Sequence, residues 1–382
     1  MNFKPRHLFK SRKLLFQTVF IVLLSVAVMS GCAQTGAIPR GWSGGVVSNG
    51  TIFLGSMEGK LIALDVSSHV RKWNDVTFEL PKTSGGFGCT QVATSVALYG
   101  SPAIWEGLVY IGGYDGKVYA INAGTGVLRW VYPRQGNLEP IIGGVVVAED
   151  KIYFGSSDGN VYALDAATGD IKWEFPTGDK IWSSPVIEDG VLYIGSFDKK
   201  LYALDTATGS KKWEPFKTGG VIVSNPIIDN GTIYFGSFDR HIYAVNATNG
   251  ELKWQSEMEA DSWFWSSPII AGNVVYASSL DGRVYGLNII NGEKVAEIEI
   301  GSPISSSPVL VDNSLIFATE IGQVYALDTT NNQKRQLVNL EEGIFASLAT
   351  ADGIVYVHTE KDGIYAINPQ SGVTLWNLSL KS

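Results

Sequence analysis

Apolar and polar positions alternate in short runs along most of this chain, and Gly and Asx residues separate the runs. Between residues 183 and 216 the pattern predicts four strands, at 183–187, 191–196, 201–205 and 211–216. The breaks fall at Asp189-Gly190, Asp198-Lys199 and Thr208-Gly209. Gly and Asx residues supply tight-turn conformations at low cost, so each break reads as a turn between antiparallel neighbours. No stretch between them has the 3.6-residue period of an amphipathic helix.

The same unit recurs. Aligned on a Tyr-Ala pair, its Tyr position falls at Ile62, Tyr119, Tyr162, Tyr202, Tyr243, Tyr285, Tyr325 and Tyr365. One spacing of 57 is followed by 43, 40, 41, 42, 40 and 40 residues. Four strands per forty-residue unit predict an all-β fold, an eight-bladed β-propeller of four-stranded antiparallel blades over residues 42–382. Alternation explains the small residue after Tyr: large side chains face one neighbouring blade, and Ala leaves room for the other neighbour. An Asx follows in every unit, at Asp65, Asn122, Asp165, Asp205, Asn246, Asn288, Asp328 and Asn368. Its short side chain is suited to closing the next turn on backbone N–H groups. One such residue per blade keeps these oxygens apart, whereas a hard cation needs several converging, so no metal site is expected.

Eight residues beyond the Asx stands a tryptophan column, Trp73, Trp130, Trp173, Trp213, Trp254 and Trp376, broken by Ala296 and Gln336. The pattern Ala-x-Asp/Asn-x-x-Thr/Ser-Gly-x-x-x-Trp resembles the tryptophan-docking motif of the pyrroloquinoline-quinone-type propeller family, over residues 42–380. The resemblance implies that these indoles pack between adjacent blades as a structural girdle, with weaker contacts at the two breaks. WD40 repeats of similar length would carry Gly-His and Trp-Asp signatures, which are absent.

The first 31 residues change the setting. Lys4, Arg6, Lys10, Arg12 and Lys13 precede a sixteen-residue apolar run at 14–29, which is a secretory n-region and h-region. The run is shorter than the roughly 20 residues of a membrane span. It ends in Met29-Ser30-Gly31-Cys32, which resembles a bacterial lipobox with Met in place of the usual Leu. That resemblance implies a signal peptide at 1–31, a lipidated N-terminus at Cys32, and a tether at 32–41. Two or more acyl chains suffice for stable anchoring. Processing would remove five of the 29 basic residues and none of the 37 acidic ones, moving the net charge from −8 to −13. Such a balance disfavours nucleic acid and anionic lipid as partners. Only Cys89 would remain as a thiol, so the exported fold must stand without an intrachain disulfide.

Chemistry is sparse. Gly41-Trp42-Ser43-Gly44-Gly45 and Gly155-Ser156-Ser157-Asp158-Gly159 match the nucleophile-elbow spacing, but that elbow needs a strand, a strained turn and a helix. His69, His241 and His358 fall in different blades. No catalytic residue and no cofactor are therefore expected. A pyrroloquinoline-quinone-dependent dehydrogenase is the catalytic alternative; many of those enzymes have a vicinal Cys-Cys pair and long insertions, both lacking here. In size, blade number and lipid attachment the chain is similar to the BamB-like family of outer-membrane assembly lipoproteins. That resemblance implies a non-catalytic, membrane-anchored, extracytoplasmic scaffold that binds an envelope protein. A cell-surface adhesion, sensor or ligand-binding propeller is the other reading.

A candidate binding feature lies just before each inner strand, where the aligned residues are Trp42, Tyr99, Ile142, Trp182, Val223, Trp265, Ser305 and Phe345. Trp263 and Phe264 add aromatics beside Trp265. The expectation is a ring of aromatics around one mouth of the propeller, either filling the gap between inner strands or anchoring a partner. An inserted loop at 76–98 between the first two units should emerge on the same face, because it leads from an outer strand to the next inner one.

Overall fold

The computed structural model describes residues 41–78 and 95–381, and 32 strands lie among them. They form eight four-stranded antiparallel sheets, each built from four consecutive strands. The described residues thus make an eight-bladed propeller, with the first strand of each blade near the axis and the fourth outermost. Cys32, residues 33–40 of the tether and Cys89 lie outside the described residues.

The fourth blade shows how the sequence sets the strands. They run Val186–Glu188, Val191–Gly195, Lys200–Asp205 and Phe216–Lys217. The inner strand starts later than the alternation predicts. Pro185 lacks an N–H for the ladder, while Ser183 Oγ donates to Ser224 O at 3.3 Å and Ser184 N to Asn225 Oδ1 at 2.6 Å on the next blade. The outer strand is shorter too, since Lys211 makes only an isolated bridge to Leu204 and Pro215 delays regular pairing until Phe216.

There is no single central core. Eight apolar clusters each fill the gap between two neighbouring blades. Between blades three and four, Tyr153, Ala163 and Trp173 meet Ile181, Leu192, Ile194 and Tyr202. Ala163 is wholly buried, and a larger side chain there would occupy the space the next blade fills. Each buried Leu or Ile contributes roughly 1.5–3 kcal/mol relative to exposure.

Indoles complete these interfaces on the outer side. Trp73, Trp130, Trp173, Trp213 and Trp254 donate Nε1–H to the carbonyls of Ala123, Ala166, Thr206, Ala247 and Ile289 at 2.9–3.1 Å, each on the following blade. The Trp173 ring lies over Gly209, where a Cβ would come within 2.7 Å of it. Gly209 also has φ +73°, so both the close approach and the backbone favour glycine. The turn itself is closed by the Asx: Asp205 Oδ1 accepts from the N–H groups of Ala207 and Thr208, both at 3.0 Å. A second column joins in, because Tyr110, Tyr153 and Tyr193 hydroxyls donate at 3.0–3.2 Å to the same carbonyls that Trp130, Trp173 and Trp213 use.

Three interfaces depart from this scheme. From blade six to seven, Ala296 leaves no indole, and the Tyr276 hydroxyl reaches both Thr329 O at 3.4 Å and Asn332 Oδ1 at 3.1 Å. In blade seven the bulge in the outer pair is displaced, so Arg335, not Gln336, stands opposite Ala326 where other blades hold Trp. Its guanidinium donates to the carbonyls of Pro369 and Gln370 at 2.9 and 2.8 Å. From blade eight to one, Trp376 meets His69 at 4.6 Å between ring centres, in the place of the turn glycine.

Among the described residues, that last interface closes the ring with no strand shared between blades one and eight. Leu54 and Leu64 of blade one pack with Tyr356, Ile364 and Ala366 of blade eight. His358 and Asp362, both buried, fasten the seam: Asp362 Oδ1 accepts from Met57 N at 2.8 Å and lies 2.9 Å from His358 Nε2. His358 Nδ1 lies 3.1 Å from the carbonyl oxygen of Ser43. Arg71 adds a bond to the Leu380 carbonyl at 2.8 Å. The inserted segment at 76–98 is part of the fold at both ends. Val76–Thr77 is the outer strand of blade one, and Val96 and Leu98 are buried between blades one and two; residues 79–94 lie outside the described ones.

Candidate functional site at the propeller mouth

Crossing from an outer strand to the next inner strand, the chain alternates buried, half-buried and buried. Ile181 is buried, Trp182 partly exposed and Ser183 buried; the same holds at Leu98-Tyr99-Gly100, Phe264-Trp265-Ser266 and Ile344-Phe345-Ala346. The apolar residue enters an inter-blade cluster. The small residue lets inner strands approach: Ser43 Oγ donates to Gly100 O at 2.9 Å and Ser224 Oγ to Ser266 O at 3.0 Å. What remains partly exposed is the residue between, so alternation places the aromatic column on one face, shared with the hairpins joining second and third strands.

The column does not form a continuous ring. It gathers into two arcs. In the first, Trp42 lies 5.7 Å from Phe345 and edge-on to Tyr99 at 4.7 Å, and Tyr99 lies 5.6 Å from Tyr114. Burial pushes the Tyr99 hydroxyl up to about 12, with Tyr114 adding to the shift, so it stays neutral. In the second, Trp182 meets Phe197 edge-on at 4.6 Å and Trp265 at 6.3 Å, while Phe238 stacks on Trp263 at 4.6 Å and lies 5.8 Å from Trp265. Val223 of blade five is buried, and the indoles of blades four and six meet beyond it. Ile142 and Ser305 separate the arcs on the two sides.

Three of these nine aromatics escaped the sequence reading. Tyr114, Phe197 and Phe238 belong to a second column, five residues before the Tyr position, in the hairpin between second and third strands. Its members are Met57, Tyr114, Ser157, Phe197, Phe238, Leu280, Glu320 and Glu360, a periodic signal that was present in the sequence. In blades two to six the next residue is Asp, held in place by the Tyr hydroxyl, as Tyr162 donates to Asp158 at 2.9 Å. Ser157, at the centre of one nucleophile-elbow spacing, accepts from Trp182 Nε1 at 3.1 Å, and Ser43, at the centre of the other, serves the inner-strand ring. Among the described residues no three or more His, Cys, Asp or Glu side chains are grouped to hold a metal ion.

Comparison with known proteins agrees with this architecture. The family described as "Outer membrane protein assembly factor BamB" matches residues 32–180, 135–221 and 175–378. The crystal structure of BamB from Moraxella catarrhalis is similar at 20% identity and a TM-score of 0.68, covering 83% of this chain and 91% of that one. The computationally designed Ika8 protein is similar at 17% identity and a TM-score of 0.70, covering 89% and 97%. No curated protein matches the chain. Likenesses at these identities speak to the fold, which by itself does not transfer function. The family match spans both the region before the first blade and nearly all of the propeller, and on it this chain belongs to the outer membrane protein assembly factor BamB family.

Proposed function

We propose that this protein is a non-catalytic, extracytoplasmic scaffold, anchored in a membrane by lipid on Cys32, that binds an envelope protein partner at the aromatic mouth. The observation that supports it is the pair of arcs: nine aromatic side chains on one face, all only partly buried, mounted on a rigid propeller. Interface anchors are enriched in such residues, and loops on rigid scaffolds are where binding concentrates. The opposite face also exposes apolar residues, among them Trp105 and Val127 on blade two and Ile290 on blade six, rather than an arc of touching rings.

A photo-cross-linking residue placed at 182 should capture an envelope protein in intact cells, and one placed at 208, on the opposite face, should not. Equal capture from both faces would sink the assignment of the mouth. Cys32→Ser should leave an unprocessed precursor without acyl label; unchanged labelling and membrane partition would remove the lipid anchor.

A further inference from the structure

The mouth is not uniform, and its third sector is acidic. In blades two to six the hairpin between second and third strands begins with an uncharged residue followed by Asp. Blades seven and eight reverse this, reading Glu320-Ile321 and Glu360-Lys361. A carboxylate therefore stands where Phe197 and Phe238 stand in the aromatic arc, and the place bonded to Tyr elsewhere is given to Ile321, which is exposed. Tyr325, without that Asp, bonds Gln323 and Gln336.

Four buried polar atoms of blades seven and eight lack a close partner, on Ser302, Ser305, Glu320 and Asp362, and two of them stand at the mouth. Glu320 Oε1 and the hydroxyl of Ser305, a residue only 9% exposed in the mouth column, are both buried without a partner at full hydrogen-bond geometry, although the hydroxyl is near enough to favour the charged carboxylate. An unsatisfied buried polar atom costs roughly 1–3 kcal/mol and calls for an explanation. Desolvation raises the Glu320 carboxyl above its ordinary value, and the Ser305 hydroxyl only partly pulls it back. On blade eight, Glu360 Oε1 accepts from Gly343 N at 3.2 Å. A Cβ on Gly343 would lie 3.0 Å from the Glu360 carboxyl carbon, 2.9 Å from the Phe345 ring and 3.1 Å from the Glu320 carbonyl. Carboxylate and aromatic ring thus meet at one point, and the Phe345 ring continues to Trp42. The cation nearest by sequence, Lys361, is exposed and lies 3.8 Å from Glu342.

We propose that the sector formed by blades seven, eight and one receives a lysine or arginine side chain of the partner, with Glu320 and Glu360 meeting its charge and Phe345 and Trp42 covering its stem. Long cationic side chains bury their methylenes on apolar surface and attract aromatic faces, so a carboxylate beside two rings matches both parts. Bonds to a charged group are the strong ones in an interface. The two aromatic arcs would then hold apolar residues of the same segment. This inference rests on the reading of the mouth as the partner face and adds the partner's chemistry to it.

Three synthetic peptides of alternating leucine with lysine, glutamine or glutamate, titrated against the full chain and followed by tryptophan fluorescence, test it. The lysine peptide should bind at least about tenfold more tightly than the glutamine peptide, and the glutamate peptide more weakly still. Glu320→Gln and Glu360→Gln should each lower lysine-peptide affinity by about tenfold and leave the glutamine peptide unchanged. Their circular dichroism melts show that each variant is folded. Equal binding of all three peptides, discrimination that survives both variants, or no binding of the lysine peptide would each overturn the cationic site. The scaffold reading stands or falls separately on cross-linking from position 182, so failure of one is distinguishable from failure of the other.

Discussion

The interfaces from blade one through blade six and those that close the ring solve the same packing problem by different means. From blade one to blade six, an indole lies on a turn residue and donates to one carbonyl, five times over. From blade six back to blade one, a Tyr–Asn bond, an Arg–carbonyl pair and a His–Trp contact take its place. An indole buries a large apolar area as well as making its bond; an exposed guanidinium bond contributes less. The closing sector compensates with a buried polar seam, His358 and Asp362, that no other interface has among the described residues. It is also the sector whose mouth departs from aromatic to acidic. Regular repetition serves stability, and the departures from it cluster where the ring closes and where a specific contact is proposed.

The largest expected effect breaks the regular half. Trp173→Ala should cost roughly 3–5 kcal/mol in denaturant unfolding, as large aromatic truncations in cores do; an unchanged midpoint would show that the girdle does not hold the blades. Next comes the seam. Asp362→Ala leaves the Met57 N–H and a His358 ring nitrogen without their partner, at a cost of about 3 kcal/mol from two buried groups. Native-state hydrogen exchange should localise that loss to blades one and eight, and uniform loss around the ring would contradict closure at this point. Arg335→Ala should cost about 1 kcal/mol, the ordinary net value of such bonds. A loss equal to that of Trp173→Ala would erase the contrast between the two halves.

A smaller effect has a definite sign in pH. Burial raises the folded-state pKa of Glu320 above its unfolded value, so the unfolded chain releases that proton first as pH rises. Stability is therefore lost from the ordinary glutamate range upward through the folded pKa. Glu320→Gln should be more stable than the parent at neutral pH, and the difference should vanish below about pH 4. A variant less stable at neutral pH would mean that the carboxylate is already satisfied in the fold.

Blade count, strand order and the apolar interfaces were legible because each rests on a column that recurs at a fixed spacing, such as Tyr202-Ala203-Leu204-Asp205. Arg335 was not, since a bulge displaced by a residue or two changes which side chain stands opposite Ala326 without changing the sequence spacing. The aromatic column was legible, but its division into two arcs was not. That division depends on Val223 being buried, so that Trp182 and Trp265 meet across a blade, and distance across the axis leaves no trace in linear order. The reversed order at Glu320-Ile321 and Glu360-Lys361 was readable in principle, yet it acquires meaning only once Phe197 shows where that position lies.

The central claim is that the mouth binds and the girdle supports, and paired substitution tests it most directly. Trp182→Ala and Trp265→Ala are compared with Trp173→Ala for denaturant midpoint and for capture of the envelope partner per folded molecule. The account predicts that the mouth variants lose much less stability than Trp173→Ala while losing at least about 2 kcal/mol of binding, roughly thirtyfold in affinity. Mouth variants as unstable as Trp173→Ala, with capture per folded molecule unchanged, would contradict it and return these indoles to packing alone.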